Sequence, residues 1–377
     1  MSKVKFEDVA TRVNTREDKD NTSLLYYVGG DHIESGELVV HNRGLIEGST
    51  IGPMFYFGFK KGDILLVSRN PHLRKAAMVD FDGICSEKTF VIGTKDEKVL
   101  LQKYLAVIVQ SDSFWNYCEE HKSGGVNFFV NWSTLAKYEF DLPDIEEQRR
   151  ISDKVWAAYG VKESYRRLIK ATDEMVKSRF IEECYSRYPK QKLGGYISVI
   201  RGVSYKPSDV RSSVDEGVAI ILRSNNIADG EINFDDLVYV VQERVQNEQK
   251  LKPGDIVMCG SNGSIGLVGK AGLLKDNMPN TAFGAFCLGI KCKETILPEY
   301  LNTYFNTQVY RNEIESMGNG TNIINIRPDN ITNLSIPLPP VEKQMAFVEV
   351  VNQADKSKFE LKQAIEKIDK VMRALLQ

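Results

Sequence analysis

Histidine and cysteine, the residues that most often serve as catalytic bases, nucleophiles or transition-metal ligands, are scarce in this sequence. The 377 residues include 4 His and 6 Cys. All four histidines, His32, His41, His72 and His121, lie in the first half of the chain. We therefore expect neither histidine catalysis nor a metal site. The scattered cysteines predict reduced, partly buried thiols, as in a cytosolic protein.

Long apolar stretches are also missing. No window approaches the roughly 18 apolar residues that a membrane-spanning helix needs. Residues 1–8 lack the apolar core of a secretion signal. We expect a cytoplasmic protein that contacts no membrane. With 42% hydrophobic residues, the chain can still bury two ordinary cores.

An excess of positive charge is the third absence. The sequence has 49 Lys and Arg against 51 Asp and Glu, a net charge of −2. Binding to nucleic acid by charge alone requires clustered Lys and Arg. If this chain binds DNA, it must use localised clusters or the help of a basic partner.

What the sequence does contain is an internal repeat. The heptapeptide LPDIEEQ at 142–148 returns as LPPVEKQ at 338–344, an offset of 196 residues. Residues 36–38 match 230–232, and residues 61–64 match 253–256, at offsets of 194 and 192. Such small drifts are typical of loop insertions. The repeat predicts two tandem copies of one unit, each a globular segment followed by a helix.

The pattern of residues divides the chain into four blocks: 1–142, 143–185, 186–338 and 339–377. The first and third contain short β-like runs and one helix each, near 97–120 and 296–316. The predicted runs are 38–40, 64–67 and 89–92 in the first block, and 218–222, 256–258 and 287–290 in the third. The second and fourth blocks predict long helices, from about 145 to 185 and 341 to 376, that start after proline.

Helices of this length, roughly 50–60 Å at 1.5 Å per residue, are too long to lie on one domain. Their apolar seams favour packing against each other. The predicted fold class is α+β: two tandem α/β domains, separated by two long helices that form an antiparallel coiled coil, with pseudo-two-fold symmetry. In the alternative, each helix covers its own domain.

Motifs for chemistry are weak. Residues 70–72 lack the second proline of an adenine methyltransferase motif, and the glycine-rich segment 260–266 lacks the Gly-Lys-Ser/Thr ending of a phosphate-binding loop. Glu360 and Lys362 resemble a nuclease motif only in spacing. We therefore expect no catalytic residue and no cofactor bound by the chain itself.

Polar side chains capable of reading base edges are instead concentrated at turns. The candidate DNA-binding residues in the first half are Arg69, Asn70, His72, Arg74, Lys75, Asn127 and Asn131. Those in the second half are Arg223, Ser224, Asn225, Ser261, Asn262, Ser264, Asn322, Asn325 and Arg327. The alternative is that these are ordinary turn residues.

Over its whole length the layout resembles the specificity subunits of type I restriction-modification systems. The resemblance rests on the repeated heptapeptide, on Gly254-Asp255-Ile256 leading into the turn at 260–266, and on the loop at 318–325. Two features depart from it. The first half lacks the glycine-rich turn, and its N-terminus has no match to Lys192-Leu193-Gly194.

The resemblance implies a non-catalytic subunit whose two target-recognition domains each read one half of an asymmetric bipartite DNA target. The helices would set the gap between the halves and dock two modification subunits through Glu146, Gln148, Glu342 and Gln344. S-adenosylmethionine would belong to those methyltransferase subunits, and ATP and Mg²⁺ to restriction (translocase) subunits. The alternatives are the recognition part of a methylation-only or fused restriction system, and a coiled-coil interaction scaffold without a DNA role.

Overall fold

The computed structural model of the protein describes residues 2–213, 215–317 and 325–376. Helices and strands are mixed throughout both of its compact units. The first unit contains the chain up to Arg166 together with the residues from Lys362 onward, and the second unit contains Arg167–Leu361. The two long helices, Ile145–Phe180 and Val341–Leu375, therefore each contribute a segment to both units.

The first unit is built on a four-stranded antiparallel sheet whose central strand, Ile64–Val67, is buried along its whole length. Four consecutive apolar residues fit a strand that is covered on both faces. The strands of this unit are Ser2–Lys5, Ala10–Val13, Tyr26–Val28, Gly44–Leu45, Phe55–Phe59, Ile64–Val67, Ala76–Met78, Gly83–Ser86, Thr89–Thr94 and Glu139–Leu142. Its shorter helices are Phe6–Val9, Gln102–Ile108, Asp112–Glu120 and Trp132–Leu135, with a 3₁₀ turn at Pro71–Leu73.

The second unit repeats this frame with more strands. Its strands are Lys190–Lys192, Ile197–Arg201, Val210–Arg211, Val218–Leu222, Ile227–Ala228, Gly230–Ile232, Val238–Val241, Ile256–Cys259, Ala271–Leu273, Thr281–Phe283, Cys287–Cys292 and Ser335–Pro337. Its shorter α-helices are Pro298–Phe305, Gln308–Ser316 and Pro328–Thr332. Its 3₁₀ turns are Leu193–Gly195, Pro207–Asp209, Ser224–Asn226, Gln242–Arg244, Asn247–Gln249 and Ile265–Leu267.

Equivalent strands occupy equivalent positions in the two units. The order Ala10–Val13, Thr89–Thr94, Ile64–Val67, Ala76–Met78 in the first sheet corresponds to Ile197–Arg201, Cys287–Cys292, Ile256–Cys259, Ala271–Leu273 in the second, and every neighbouring pair is antiparallel. In each unit a parallel pair lies in the next sheet, Tyr26–Val28 with Gly83–Ser86 and Val218–Leu222 with Thr281–Phe283. The sequence repeat is therefore also a repeat of topology.

The prediction of one helix near 97–120 and one near 296–316 is wrong, because each of these segments contains two helices, and each block has at least one further short helix outside its segment. Ser111 accepts a hydrogen bond from the Phe114 amide and starts a new helix at Asp112. Thr307 does the same with the Tyr310 amide before Gln308. Ser and Thr at this position satisfy an otherwise free amide of the first helical turn. The predicted run at 38–40 is also not a strand, since Val39 makes only an isolated bridge to Met78.

The long helices begin where the prolines predict. The first starts at Ile145, after Pro143, and the second at Val341, after Pro340. The predicted end near 185 is one turn too far for the α-helix, which ends at Phe180 and continues as the π-helical turn Ile181–Tyr185. Within the described residues no helix is both long and apolar enough to span a membrane. All six cysteines are free thiols, and five of them are buried.

Candidate nucleic-acid interface

In the first unit, the candidate residues near 70 and near 130 meet at the end of the buried central strand. Arg69 forms an isolated antiparallel bridge with Phe129, and the Asn70 amide donates to the Phe128 carbonyl at 2.9 Å. The Val130 amide donates to the Ser68 carbonyl at the same distance. We call residues 68–75 and 123–131 the first loop cluster. It places Arg69, Asn70, Asn127 and Asn131 in one region of the surface, with only Asn70 partly covered.

The remaining candidates of the first loop cluster differ in whether their side chains already have partners within the protein. His72 is exposed on the 3₁₀ turn Pro71–Leu73. Asn70 and Arg74 flank this turn in left-handed conformations, at φ 51° and 49°. Arg74 is ion-paired with Asp112, and Lys75 Nζ donates to the Gly30 carbonyl at 2.6 Å. Arg74 and Lys75 thus already have internal partners, whereas Arg69 and His72 point to solvent.

The second unit has a corresponding cluster at the end of its central strand Ile256–Cys259. Ser261 bridges Asn325 in an antiparallel manner, and the Ile326 amide donates to the Gly260 carbonyl at 2.8 Å. Asn262 Nδ2 donates to Ser224 Oγ at 3.2 Å, which joins the turn after Val218–Leu222 to the same region. We call residues 223–226, 260–264 and 325–327 the second loop cluster.

Asp236 restrains part of the second loop cluster. Arg223 donates to its carboxylate and to its carbonyl, both at 2.8 Å, and Asn225 donates to the same carboxylate at 3.0 Å. Asn262 is held by the Ser264 amide as well, at 2.9 Å. Ser264, Asn325 and Arg327 are exposed. Asn322 lies outside the described residues.

The repeated heptapeptide has an internal role in both units. Gln148 and Gln344 are fully buried at the start of their helices. Gln148 accepts from the Leu101 amide at 3.0 Å and donates to the carbonyls of Val99 and Pro143, at 2.9 and 3.0 Å. The contacts with Leu101 and Val99 tie the helix start to the loop before the helix Gln102–Ile108, and the contact with Pro143 is made to the residues just before the long helix.

Gln344 makes the same three contacts, accepting from Leu297 and donating to Thr295 and Pro339 at 2.9, 3.1 and 2.9 Å. Neither glutamine presents an atom at the surface where a partner subunit could bind it. Glu146 and Glu342 are exposed and remain the accessible members of the set expected to dock a partner.

A buried carboxylate that the sequence analysis did not single out ties the first globular region to both long helices. Glu37, 5% exposed, accepts from Lys162 at 3.0 Å, from Tyr159 at 3.1 Å and from both terminal nitrogens of Arg166, at 2.7 and 2.8 Å. Lys162 also pairs with Asp369 of the second long helix at 2.8 Å.

Burial by itself raises the pKa of Glu37, but the hydrogen bonds and charges of Arg166 and Lys162 outweigh it and lower the pKa to about 2. The only sequence signal for this residue was the match between 36–38 and 230–232.

Glu37, His41 and Glu163 bring three potential metal-ligand atoms within 4.8 Å of one another. Glu37 and Glu163 are, however, both paired with Arg166. A guanidinium and an ammonium already balance these carboxylates, so the group is an ion-pair network and a poor place for an additional cation.

A related network lies in the second unit, around Glu231. Lys275 joins Glu231 to Asp355 of the second long helix, at 3.0 and 2.8 Å. Lys358 pairs with Asp355 at 2.9 Å and with Asp173 of the first long helix at 2.7 Å. In both units, therefore, an acidic residue of the globular region reaches the long helices through cations: Glu37 through the buried Lys162, and Glu231 through the exposed Lys275.

Comparison with known proteins finds a family match in the second half of the chain. Residues 206–370 match the family described as type I restriction modification DNA specificity domain. The type I restriction enzyme StySPI specificity subunit of Salmonella potsdam is 33% identical, and the EcoKI specificity subunit of Escherichia coli K12 is 32% identical. Each match covers 48% of this chain and 39% of the relative. The chain thus spans well under half of the length of these relatives.

The fold has solved counterparts. A chain from a structural study of complex assembly and conformational transition in a type I R-M system covers 100% of this chain and 96% of its own length, with a TM-score of 0.55 and 19% identity. A type I restriction-modification S subunit from M. genitalium aligns with a TM-score of 0.52 and 12% identity, over 100% of this chain and 94% of that chain. At such identities the likeness shows the fold.

Proposed function

We propose, because residues 206–370 match the model of the type I restriction modification DNA specificity domain, that this chain is the sequence-recognition subunit of a type I restriction-modification complex. Each globular region would read one half of an asymmetric bipartite target in double-stranded DNA. The chain itself would neither cut nor methylate, and S-adenosylmethionine, ATP and Mg²⁺ would be bound by partner subunits.

The observation that carries this proposal is the equivalence of the two loop clusters. Each unit has an isolated bridge just after its central strand, and the two central strands are equivalent. The bridge joins Arg69 to Phe129 in the first unit and Ser261 to Asn325 in the second. Each brings two separate polar loops together on one frame, yet the side chains differ: Arg, Asn and His in the first, Ser, Asn and Arg in the second. A shared frame with different side chains suits two unlike half-sites, because base identity is read by side-chain donors and acceptors.

The predicted antiparallel coiled coil is the second part of the proposal. The pair Lys162–Asp369 at 2.8 Å, within the first unit, corresponds through the 196-residue repeat to Lys358–Asp173 at 2.7 Å, within the second. Two equivalent pairs of this kind are expected if the helices run in opposite directions around a pseudo-two-fold axis. Such a coiled coil would fix the distance between the half-sites.

Two modification subunits and, in a complete system, restriction subunits are the proposed protein partners. The two copies of the helix junction would present two equivalent docking surfaces that include Glu146 and Glu342. The cytoplasm is the expected location.

Enrichment of randomised DNA duplexes tests the proposed function. The full chain, mixed with its modification subunits, is expected to select two short fixed sequences separated by an unspecified gap of constant length. Enrichment of no sequence, or binding to the modification subunits without retardation of any duplex, would leave only the interaction-scaffold alternative.

Single substitutions test which half of the DNA target each globular region reads. Arg69→Ala should relax the sequence preference in one half of the target and Arg327→Ala in the other, each by roughly 1–3 kcal/mol at its own position. Asn322→Ala tests the same half as Arg327→Ala. If the substitutions instead weaken binding to every duplex equally, these residues contact phosphate and do not read bases.

A further inference from the structure

An exposed aromatic side chain lies beside the second loop cluster. Phe286 is 71% exposed, an unusual degree for a phenyl ring. It lies in the tight turn between the strands Thr281–Phe283 and Cys287–Cys292, closed by a hydrogen bond from the Cys287 amide to the Gly284 carbonyl at 2.8 Å. The turn thus holds the backbone of Phe286 while its ring faces solvent.

The backbone of Phe286 is fixed directly against the candidate DNA-binding residues. Its carbonyl accepts from the amides of Gly260 and Ser261, at 2.8 and 3.0 Å. Ser261 is the residue bridged to Asn325, and Asn262 follows it. A Cβ at position 260 would lie 3.4 Å from the same carbonyl, which is an ordinary contact distance, so the turn packs closely against this loop. Phe286 is therefore an exposed apolar residue whose backbone is hydrogen-bonded to the loop that carries Ser261 and Asn262.

The first unit has a lysine at the equivalent position. The Lys88 carbonyl accepts from both the amide and the hydroxyl of Ser68, at 2.8 Å each. Ser68 follows the central strand Ile64–Val67 as Gly260 follows Ile256–Cys259. Lys88 is exposed and, among the ion pairs of the described residues, is paired only with its partly buried neighbour Glu87. We call Lys88 and Phe286 the tip residues.

We infer that the tip residues are DNA contacts of different kinds: Phe286 touches bases of the half-site read by the second unit, and Lys88 a phosphate beside the other half-site. The inference rests on the proposed function. The two units thus carry a cation and an aromatic ring at equivalent turns. DNA can accept both, because its phosphates are negatively charged and its stacked bases are apolar. Phenylalanine contributes to DNA recognition by contacting thymine methyl groups or by wedging between base steps. A lysine on phosphate positions the protein without reading sequence.

Fluorescence anisotropy with the full chain and its modification subunits tests this. It compares the enriched duplex with a scrambled one, between about 50 and 200 mM salt. Phe286→Ala should lose about tenfold in affinity for the enriched duplex. Its affinity for the scrambled duplex, and the salt dependence of binding, should stay unchanged. Lys88→Ala should weaken binding to both duplexes alike. It should also reduce the slope of the logarithm of the binding constant against the logarithm of the salt concentration by about one.

Matched controls and a swap sharpen the result. Phe359→Ala removes another exposed phenyl ring of the second unit, 60% exposed on a long helix, and Lys60→Ala removes another exposed lysine of the first. Phe359→Ala should preserve the discrimination between the duplexes, and Lys60→Ala should leave both affinities and the salt slope unchanged. Phe286→Lys places at position 286 the residue type found at position 88. It should increase the salt dependence of binding by about one unit of slope.

Two outcomes overturn the inference while leaving the proposed function intact. In one, wild type selects a target and Phe286→Ala discriminates equally well. In the other, Phe286→Ala weakens assembly with the modification subunits without changing sequence preference, which would make the ring a protein contact. Failure of the wild-type chain to select any sequence refutes the proposed function itself, before the variants are compared.

Discussion

At the scale of single residues, the two glutamines of the repeated heptapeptide are fully buried polar groups with complete sets of hydrogen bonds. Gln148 and Gln344 each satisfy one amide and two carbonyls at a helix start. Prolines at 143 and 340 prevent the helix from continuing backward. The glutamine side chain then supplies the connection that the interrupted backbone cannot make.

We expect Gln148→Ala and Gln344→Ala each to lower the free energy of unfolding by roughly 2–4 kcal/mol, because three buried backbone groups lose their partner. Glu146→Ala, on the exposed side of the same heptapeptide, should change it by less than about 0.5 kcal/mol. Urea denaturation of the full chain measures both. Equal small effects of all three substitutions would assign the glutamines no structural role.

Glu37 gives the protein a specific acid sensitivity. Its pKa, about 2 in the folded protein, lies below the ordinary 4.5. The carboxylate therefore stabilises the fold fully above about pH 4.5, and this stabilisation disappears as pH falls toward 2. A shift of this size corresponds to something on the order of 3 kcal/mol.

Glu37→Gln should accordingly be less stable than wild type at neutral pH, by more than the exposed substitution Glu34→Gln. The difference from wild type should shrink as the pH is lowered from about 5 toward 2. Thermal unfolding across this pH range is the measurement. A difference that stays constant with pH would mean that the ionised form of Glu37 contributes nothing.

At the scale of elements, the long helices carry equivalent charge pairs at equivalent positions. The residues between Lys162 and Asp173 on the first helix are as many as those between Lys358 and Asp369 on the second. If the helices are antiparallel, both pairs form at once only when the two segments have equal length. The pairs would then fix the register of the helices as well as contributing to stability.

Insertion of four helix-forming residues after Ala171 adds about 6 Å to one helix only. We expect it to break one charge pair or to form a bulge. A second insertion of four residues after Glu360 restores equal lengths. The double variant should therefore keep both half-site sequences and widen the gap by one to two base pairs, at about 3.4 Å each.

Sequencing of the duplexes that each insertion variant selects reports the gap directly. An unchanged gap with full affinity in the double variant would show that the helices do not set the spacing. The single insertion serves as the comparison, since it should reduce selectivity or leave the gap poorly defined.

At the scale of the whole molecule, the duplicated junction leads to an expected stoichiometry. Two equivalent surfaces, each containing a long-helix start and an exposed glutamate at 146 or 342, should bind two copies of one modification subunit. Light scattering on the saturated complex is expected to give one specificity chain to two modification subunits. Glu146→Lys and Glu342→Lys, made separately, should each reduce binding to one copy only, and a saturated one-to-one complex of the wild type would exclude two equivalent surfaces.

The sequence by itself determined the features that depend on local chemistry or on the repeat. Proline placed both long-helix starts, and uninterrupted apolar runs placed the buried strands Ile64–Val67, Val218–Leu222 and Ile256–Cys259. The offset of 196 residues indicated that the chain contains one frame twice. Ser111 and Thr307 are common helix-capping residues and could have indicated where a second helix begins in each segment. The prediction missed these starts because it relied on the spacing of apolar residues alone.

Only the tertiary structure decided which distant residues come together. Burial of Gln148, Gln344 and Glu37 depends on partners between 47 and 129 residues away along the chain. No local pattern encodes such contacts. The loop clusters arise in the same way, from bridges between segments that are 60 and 64 residues apart. Exposed polar or apolar side chains leave no periodic signal in the sequence. The position of Phe286 beside Ser261 and Asn262 therefore became evident only once the strands that hold these turns had been paired.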